Sequence, residues 1–313
     1  MVDTLARLKF SDPHITAKGE QRAHVEFDRL KILWFNTGSL CNIACTNCYI
    51  NSSPTADHFV YLTRDEVRRY LDEIENLQTG SIEIGLTGGE PFMNPHIIGI
   101  CEEVLNRGHS LLILTNAMQP MMRQRIKTGL VDINTDFPGQ ITCRVSLDHY
   151  SAEMHDAERG SGSFDIALRG IAWLHENAFH THIAGRTAFA ESEADARTGF
   201  AQLITAQGWD IDPTDPVALM LFPEMDDSLD VPEITTACWD ILGVDPKTLM
   251  CASSRMIVKR KGAKNPAVMS CTLLWEDTQF EMGEGLAKAL TPVSLNHHYC
   301  TKFCVLGGAS CSA

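Results

Sequence analysis

The sequence predicts an α/β fold of six successive strand–helix units followed by a small cysteine-rich module. This prediction rests on three features of the chain. Between residues 31 and 222, apolar strand-like runs alternate with amphipathic helix-like runs. Several strand-like runs are continuously apolar, which is typical of parallel strands that are buried on both faces. After about residue 223 the alternation stops, and six of the 11 cysteines follow.

The predicted strands come in chain order at Lys31–Asn36, Ser81–Thr87, Ser110–Asn116, Ile141–Leu147, His182–Ala188 and Val217–Phe222. The helix after the first strand begins with Thr63 and Glu66 in the spacing of a capping box. The other helical patterns cover roughly Pro95–Arg107, Met118–Gly129, Phe164–Asn177 and Ala194–Gln207. Right-handed crossovers between such units give either an open doubly wound sheet or a full or partial barrel. Six units are too few for a closed eight-stranded barrel.

Composition and charge exclude several classes of protein. The chain has 313 residues, of which 44% are apolar and 21% charged, as in ordinary globular proteins with a large core. Its net charge of −14 makes nucleic acids and membrane surfaces poor partners, because an acidic surface repels phosphate groups. No run approaches the roughly 20 apolar residues of a membrane span, and the N-terminus lacks the pattern of a signal peptide. We therefore expect a cytoplasmic protein, whose reduced cysteines favour metal ligation over disulfides.

Cys41, Cys45 and Cys48 form a C-x3-C-x2-C motif directly after the first predicted strand. The loop that carries them leaves the C-terminal end of that strand, where β/α proteins build their sites. Three thiolates can bind three irons of a 4Fe–4S cluster and leave the fourth iron open to an added ligand. Structural zinc takes four protein ligands instead. A zinc site with a remote fourth ligand and a set of reduced core cysteines remain the alternatives for this motif alone.

A second motif, TGGEP, stands at the C-terminal end of the second predicted strand. Gly88 and Gly89 lack side chains, so a ligand can lie directly against the backbone there. Taken alone, the segment would be a tight strand-to-helix turn that ends at Pro91. It follows the cysteine motif by 40 residues, in the next β/α unit, and the two motifs together indicate one ligand site.

Together these residues resemble the radical S-adenosylmethionine (SAM) superfamily. The similarity extends over about residues 30–225 and is most specific in CNIACTNCY and TGGEPFMNP, with weaker similarity in ILTNA, VSLDHYSAEMHDAERGSGSFD and GRTAF. The resemblance implies a partial (β/α)6 TIM-like barrel, in agreement with the six predicted strands. We accordingly divide the chain into an N-terminal extension (residues 1–30), a radical SAM core (31–225) and a small C-terminal α+β module (226–313).

The resemblance also implies site residues, with the three cysteines of the first motif holding the SAM-binding 4Fe–4S cluster. The predicted SAM-binding residues, which all follow or end strands, are Gly88, Gly89, Glu90, Asn116, Ser146 and Arg186. The 88–90 segment would contact the amino group of SAM, Ser146 its ribose, and Arg186 its carboxylate, which a guanidinium can bind in bidentate fashion. The alternative for Ser146 is an ordinary serine at the end of a strand, and the alternative for Arg186 is an arginine that points into solvent. The family pattern often has an aromatic residue or histidine where this chain has Asn47, so adenine contact here would use the backbone.

The function that the resemblance implies is that of a radical SAM enzyme. A reduced 4Fe–4S cluster would cleave SAM to methionine and a 5′-deoxyadenosyl radical, which removes a hydrogen atom from a small-molecule or peptide substrate. Such an enzyme needs an external one-electron reductant, such as flavodoxin or ferredoxin. Because the radical step needs no acid–base pair, Asp148, His149 and His155 are predicted to be polar loop residues. The alternative is a non-catalytic iron–sulfur electron carrier or a zinc-binding interaction protein, which would need neither the glycine motif nor six β/α units.

The C-terminal cysteines predict a second metal site. Cys251 and Cys271 flank a predicted hairpin with its turn at Lys261–Gly262, while Cys300 and Cys304 are spaced as neighbours on one helical turn. This segment resembles the twitch and SPASM extensions of radical SAM enzymes, and the resemblance implies one auxiliary 4Fe–4S cluster. The alternatives are zinc on the same four thiols, and a set in which another side chain replaces one of them. The candidates for such a replacement are Cys311, His297 and His298.

Overall fold

The computed structural model describes residues 8–187, 189–223 and 230–308, and within them the main feature is a sheet of eight strands. The strands are β1 (Ile32–Asn36), β2 (Glu83–Thr87), β3 (Ser110–Thr115), β4 (Ile141–Ser146), β5 (His180–Arg186), β6 (Leu219–Phe222), β7 (Ser254–Val258) and β8 (Ala267–Met269). They lie in the order β6-β5-β4-β3-β2-β1-β7-β8, and all neighbours are parallel except β7 and β8. All six predicted strands are confirmed, with boundaries within two residues.

The strand order decides between the two architectures that the sequence leaves open. In a doubly wound sheet the order reverses at a switch point, whereas β1 to β6 follow one another in sequence here. Every crossover therefore runs in the same direction around the sheet, as in a barrel. The other edge of β1 pairs with β7 rather than with β6, so the six units form a partial barrel that the later strands extend.

Helices connect the successive strands. They are α1 (Arg64–Asn76), α2 (Ile97–Asn106), α3 (Gln119–Met122), α4 (Gln124–Asp136), α5 (Ala152–Arg159), α6 (Ser163–Glu176) and α7 (Glu193–Gln207). α1 begins after Thr63, which forms the predicted capping box with Glu66. The one helix predicted around residues 118–129 is two helices, because Arg123 is extended between them. The sequence does not predict α5, since its one buried residue is His155 and it lacks an apolar stripe.

The two faces of the sheet build separate hydrophobic cores. The outer face packs against the helices through side chains such as Leu33 and Phe35. The inner face carries Trp34, which packs so closely on β2 that a Cβ at Gly85 would lie 2.2 Å from its ring. Trp34 also lines the space at the carboxyl ends of the strands, so it forms the floor of that space.

The C-terminal residues extend the barrel sheet. β7 and β8 form the predicted hairpin, with Ile257 opposite Val268, and β7 adds to the edge of β1. The other elements here are short: α8 (Cys238–Leu242), α9 (Leu286–Ala289), a π-helix (Cys300–Val305) and 3-10 turns at Pro246–Thr248, Met250–Ala252 and Thr278–Phe280. The domain boundary predicted at 225/226 falls in residues 224–229, outside the described ranges, and the division stays a prediction.

The segment before β1 packs onto the C-terminal residues. His24–Val25 pairs antiparallel with Val293–Ser294. Arg22 donates from Nη2 to Glu233 Oε1 at 2.5 Å, in an ion pair that is almost fully removed from solvent. The segments that precede and follow the barrel in the sequence therefore bind to each other. None of the helices in the described ranges combines the length and apolarity that crossing a bilayer requires.

Candidate functional site

A cavity of about 520 Å³ lies at the carboxyl ends of the barrel strands. The predicted site residues that line it come from five successive strand ends and loops: Cys41, Cys45, Cys48, Gly88, Gly89, Asn116, Ser146 and Arg186. They meet because the carboxyl ends of parallel strands lie at one end of a barrel. Glu90 does not line this cavity, and neither do the four C-terminal cysteines of the predicted second site. The barrel thus brings together eight of the nine residues predicted for the SAM site.

The cysteine loop is held by backbone hydrogen bonds at its start and in its middle. The Cys41 N–H donates to the carbonyl of Ser53 at 3.1 Å, which closes the loop on itself. The Thr46 N–H donates to the carbonyl of Glu158 on α5 at 2.9 Å. The first thiol of the motif is buried and the other two are half-buried. The loop therefore presents three thiols to the cavity on a backbone that two other segments support.

Burial dominates the ionisation of the first two thiols, those of Cys41 and Cys45. It raises the pKa of Cys41 to about 12, and the charges of Glu90, Cys45 and Cys48 add to this effect. Burial also raises the pKa of Cys45, although the nearby Arg159 guanidinium acts against it. Across the described ranges, no three His, Cys, Asp or Glu side chains are arranged as ligands of a single metal ion. The three thiols are close enough to influence one another, and a metal centre that binds them as thiolates must displace their protons.

The two glycines after β2 are required by the packing of the chain. Gly88 has a φ of +138°, and a Cβ there would lie 2.5 Å from the carbonyl oxygen of Gly38. A Cβ on Gly89 would lie 2.2 Å from the carbonyl oxygen of Leu40. The backbone N–H groups of Gly89 and Glu90 donate to these same two carbonyls at 2.8 and 3.1 Å. The glycine motif is therefore bonded directly to the backbone that leads into the cysteine loop.

Glu90 lies behind the cavity wall and is 1% exposed. Its carboxylate accepts hydrogen bonds from Thr115 Oγ1 at 2.9 Å and from the N–H groups of Asn116 at 2.9 Å and Phe92 at 3.2 Å. The resemblance implies that the 88–90 segment lies against the amino group of SAM, and this stays a prediction; the cavity lining includes Gly88 and Gly89 but not Glu90. The Glu90 carboxylate links the end of β2 to the end of β3, and it thereby positions Asn116 at the cavity.

We expect the stability lost in a Glu90→Gln variant to depend on pH. Burial raises the pKa of Glu90 to about 7 from an ordinary value of 4.5. The fold thus favours the neutral acid, whose stabilising contribution is complete below pH 4.5 and is lost as the pH rises through 7. Glutamine does not titrate, so the deficit of the variant should be about 1 kcal/mol larger near pH 6 than near pH 8.

Anaerobic thermal unfolding of the reconstituted wild type and variant at both pH values measures this difference. Because the clusters are common to both proteins, their own pH sensitivity cancels in the comparison. Equal deficits at the two pH values would show that Glu90 stays ionised throughout and that burial does not control it.

The Asn116 side chain joins β3 to the cysteine loop. Its Nδ2 donates to Asn42 Oδ1 at 2.9 Å and lies 3.8 Å from Cys41 Sγ. Its Oδ1 accepts a hydrogen bond from the Met118 N–H at 3.0 Å. Both ends of the amide are held, so Asn116 has a fixed orientation beside the first thiol of the motif.

Two ion pairs beside the cavity depend on α5, which the sequence does not predict. Arg186 donates from Nη1 to Glu158 Oε2 at 2.9 Å, and the same carboxylate accepts from Asn47 Nδ2 at 3.0 Å. Arg159 donates from Nε and Nη2 to the two oxygens of Asp148 at 2.6 and 2.9 Å. Burial raises the pKa of Asp148, but the Arg159 guanidinium outweighs it and holds that pKa below its ordinary value. The only sequence signal for these pairs is the adjacent Glu-Arg in the weakly similar AERG segment.

The two histidines predicted to be polar loop residues are buried, at 5% exposure for His149 and 1% for His155. His155 lies on α5, and burial lowers its pKa to about 4, so it is neutral near pH 7. His149 Nε2 lies 2.9 Å from Glu191 Oε1. Neither histidine lines the cavity, whereas Asp148 does, and the prediction that none of the three takes part in the chemistry stays a prediction.

The C-terminal chain supplies one wall of the same cavity, through residues 272–277 and 297–299. Trp275 donates from its indole Nε1 to the carbonyl of Tyr49 at 2.6 Å. The indole also stacks on His58, with ring centres 4.7 Å apart. This wall is therefore bound to the chain that directly follows the cysteine motif.

The four predicted C-terminal ligands lie in one hydrophobic cluster or against it. Cys251 is in a 3-10 turn, Cys271 follows β8, and Cys300 and Cys304 are in the π-helix, a rare form that is frequent at functional sites. Burial raises the pKa of Cys251 to about 11. Burial also raises the pKa of Cys300, and Cys271 and Cys251 add to that effect, so these three thiols lie within electrostatic reach of one another. Cys311 lies outside the described residues.

Comparison with known proteins identifies the family. Residues 35–195, about half of the chain, match the sequence profile of the Radical SAM superfamily, and they contain both the cysteine and the glycine motifs. The chain belongs to the radical SAM superfamily. A 4Fe–4S cluster and SAM are the cofactors of this superfamily, in agreement with the prediction for the core.

Individual relatives cover parts of this radical SAM protein. Mycofactocin maturase MftC of Mycobacterium tuberculosis is 32% identical over 131 residues, which is 42% of this chain and 31% of MftC. The subtilosin biosynthesis protein AlbA of Bacillus subtilis is 30% identical over 145 residues, which is 46% of this chain and 30% of AlbA. The chain thus spans about a third of the length of these curated relatives.

Solved structures share the fold of this radical SAM protein. The native anSMEcpe structure with bound AdoMet covers 87% of this chain and 83% of its own, with a TM-score of 0.60 and 12% identity. Streptococcus suis SuiB bound to S-adenosylmethionine covers 82% of this chain and 63% of its own, with a TM-score of 0.59 and 12% identity. At this identity the likeness concerns the fold. It confirms the predicted partial (β/α)6 TIM-like barrel with further C-terminal structure.

The donor set fits the cofactors of a radical SAM protein. Three thiols from a single loop face the cavity, and three thiolates leave one iron of a 4Fe–4S cluster open. Next to them, Gly88 and Gly89 line the cavity with bare backbone. An electron carrier or a structural zinc site requires no cavity beside its metal, so the arrangement favours an enzyme.

Proposed function

We propose that this chain is a radical SAM enzyme that cleaves SAM reductively and uses the resulting 5′-deoxyadenosyl radical to abstract a hydrogen atom from a peptide substrate. The observation that carries the proposal is the single cavity shared by the cysteine loop, the glycine motif, the ends of β3 to β5 and the C-terminal wall. A cofactor and a substrate can meet there, in a space lined by the barrel and by the C-terminal chain. Exclusion of water protects a reactive radical from side reactions.

Cys41, Cys45 and Cys48 would hold the cluster, which supplies one electron to the sulfonium of SAM when it is bound. Gly88 and Gly89 would offer their backbone to the methionine moiety beside the open iron. The N–H groups of Gly89 and Glu90 are already bonded to the backbone that leads into the cysteine loop, so this segment is held in place before SAM binds. An external one-electron donor, such as flavodoxin or ferredoxin, completes the proposed system.

Asn116, Ser146 and Arg186 would orient SAM from the ends of β3, β4 and β5. Glu90 acts behind Asn116 as a positioning residue, through the hydrogen bond to its backbone N–H. Arg186 is held by Glu158 through Nη1, and this pair is mostly buried, at 15% exposure for each side chain. A carboxylate of SAM would therefore meet a guanidinium whose direction the protein has already set.

We expect Arg186→Lys to weaken SAM binding by about 1–3 kcal/mol. Lysine keeps the charge but loses the planar donor fork, so it cannot bind Glu158 and a SAM carboxylate in the same geometry. Equilibrium binding of SAM to the reconstituted enzyme measures the effect. Arg197→Lys is the matched control, because Arg197 pairs with the exposed Glu193 on α7 and does not line the cavity. Unchanged affinity in Arg186→Lys would remove Arg186 from the SAM site.

A peptide is the substrate class that we propose. MftC is named a maturase and AlbA a bacteriocin biosynthesis protein, and SuiB has been solved bound to the precursor peptide SuiA. In this chain, residues 272–277 and 297–299 form a wall opposite the barrel. A substrate bound along that wall would reach the cofactor end of the cavity. The acidic net charge of −14 argues against a nucleic acid in the same place.

We also propose that Cys251, Cys271, Cys300 and Cys304 hold one auxiliary 4Fe–4S cluster. Its support is the electrostatic proximity of three of these thiols and the packing of all four in or against one apolar cluster. Four thiolates leave no open iron, so this cluster would carry an electron to or from the substrate site. Zinc on the same thiols is the rival, and metal analysis separates the two.

One assay tests the proposed function. Anaerobically reconstituted protein is incubated with SAM and dithionite, and 5′-deoxyadenosine and methionine are quantified. We expect both products in equal amounts, and faster formation when short peptides encoded beside the gene are added, with a mass change in the peptide that reacts. No 5′-deoxyadenosine from protein with its full iron content would support an electron carrier instead. Product formation that responds to a small molecule and to none of these peptides would reject the peptide substrate alone.

A further inference from the structure

Arg255 is a fully buried cation in the C-terminal module. It lies on β7 with 0% exposure, and its guanidinium donates to four backbone carbonyls. The acceptors are Ala289 at 2.7 Å, Thr291 at 2.8 Å, Cys251 at 2.7 Å and Ser254 at 2.6 Å. Within the described part of the chain, no carboxylate lies within ion-pair distance of it. Its hydrogen bonds are satisfied, but its charge is not matched by a carboxylate.

The surroundings of Arg255 point to the cysteine cluster. Cys251 and Cys271 are the ionisable side chains whose charges act on it. The centre of the Phe27 ring lies 4.7 Å from its guanidinium carbon. Arg22, another fully buried arginine, differs because it pairs with Glu233, as described above. A buried charge is costly unless an opposite charge lies close by. For Arg255 the groups in a position to supply that charge are the thiolates of the proposed auxiliary site.

We propose that Arg255 is the fixed countercharge of the auxiliary iron–sulfur cluster and raises its reduction potential. This inference rests on the auxiliary cluster of the proposed function. A 4Fe–4S cluster with four thiolates has a net negative charge, which grows by one elementary charge on reduction. A cation held nearby in a medium of low dielectric constant stabilises the reduced form more than the oxidised form. Arg255 is therefore a positioning and tuning residue that does not ligate iron.

The guanidinium has two roles that substitution can separate. Its hydrogen bonds join β7 to the backbone around Ala289 and Thr291, while its Nη1 lies 2.7 Å from the carbonyl oxygen of Cys251 and its charge acts on the Cys251 and Cys271 side chains. Glutamine removes the charge and keeps an amide donor, whereas lysine keeps the charge with fewer directed donors. A purely structural role would respond to both substitutions, and a charge effect would respond mainly to glutamine.

The test uses the full chain with alanine at Cys41, Cys45 and Cys48, so that any iron present belongs to the auxiliary site. Arg255→Gln and Arg255→Lys are made in this background, and the midpoint potential is measured by anaerobic titration with dithionite, followed by electron paramagnetic resonance. Arg260→Gln is the matched control, because Arg260 follows the same strand but pairs with Glu281. We expect a more negative midpoint in Arg255→Gln, a midpoint near the parent in Arg255→Lys, and no shift in the control.

The iron content of each variant decides the remaining outcomes. An unchanged midpoint in Arg255→Gln with full iron would overturn the inference. Loss of iron in Arg255→Gln but not in Arg255→Lys would support it, since lysine keeps the charge although it has fewer directed donors than arginine. Loss of iron in both variants would overturn it in favour of a structural role. A parent without iron, or with zinc, would instead reject the auxiliary cluster of the proposed function, and the inference with it.

Discussion

Replacing Cys41, Cys45 and Cys48 together with alanine should reduce SAM cleavage to the background of a reaction without enzyme. The three thiolates are the proposed bonds between the protein and the cluster, and no other cysteine lines the cavity in the described part of the chain. Without the cluster, neither the electron nor the iron that binds SAM is present. Quantification of 5′-deoxyadenosine from anaerobically reconstituted variant and wild type measures the loss.

Cys101→Ala is the matched control for this prediction. Cys101 is 0% exposed on α2 and lies in the core between sheet and helices, away from the cavity. Its loss should leave SAM cleavage and iron content near those of the wild type. In the triple variant we expect about four iron atoms per chain to remain if the auxiliary cluster is present. Formation of 5′-deoxyadenosine by the triple variant at the wild-type rate would contradict the assignment of the cysteine motif.

Gly89→Ala should disable the site through the backbone. The added Cβ would lie 2.2 Å from the carbonyl oxygen of Leu40 and 2.7 Å from that of Ser39, so the chain must move. The oxygen of Leu40 also accepts the Glu90 N–H, and the next residue is Cys41, the first cysteine of the motif. We expect a loss of about 1–3 kcal/mol in stability. A shift of about 1 Å in the thiol could lower the rate of SAM cleavage about 100-fold.

Gly99→Ala tests whether the effect belongs to the position or to the substitution. A Cβ on Gly99, within α2, would lie 3.4 Å from Arg64 Cδ, near the end of a flexible side chain. Alanine in a helix is favoured over glycine, so this variant should be as stable as the wild type or more stable by up to about 1 kcal/mol. The measurements are the thermal unfolding midpoint, the iron content and the rate of SAM cleavage. Wild-type values for Gly89→Ala would show that the close contact between the glycine motif and the cysteine loop is not needed for stability, iron binding or SAM cleavage.

Much of this protein follows from local patterns in its sequence. Apolar runs, separated by segments of helical periodicity, predict the six strands. The Thr63–Glu66 spacing predicts the start of α1. Both predictions succeed because they depend on residues that are neighbours in the chain. The two motifs at strand ends predict where the cavity lies for a similar reason. Once the strands are parallel, their carboxyl ends must meet, whatever the details of the loops between them.

Other features depend on contacts between distant residues, and only the tertiary structure decides them. Glu90 follows two glycines in a ligand-binding motif, yet its carboxylate turns inward because Thr115 and the N–H of Asn116 offer hydrogen bonds there. The short helix α5 has no apolar stripe, so periodicity cannot predict it, although it holds Glu158 beside Arg186.

Sequence separation explains the limit. Asn47 and Glu158 are 111 residues apart, and Tyr49 and Trp275 are 226 apart, yet each pair is in hydrogen-bond contact at the cavity. The strand order makes both contacts possible: β1 lies between β2 and β7, so the cysteine loop after β1 faces the barrel on one side and the C-terminal chain on the other, and α5 then supplies Glu158. Side-chain chemistry and periodicity are properties of neighbouring residues, whereas the pairing of strand edges is set by the packing of the whole chain.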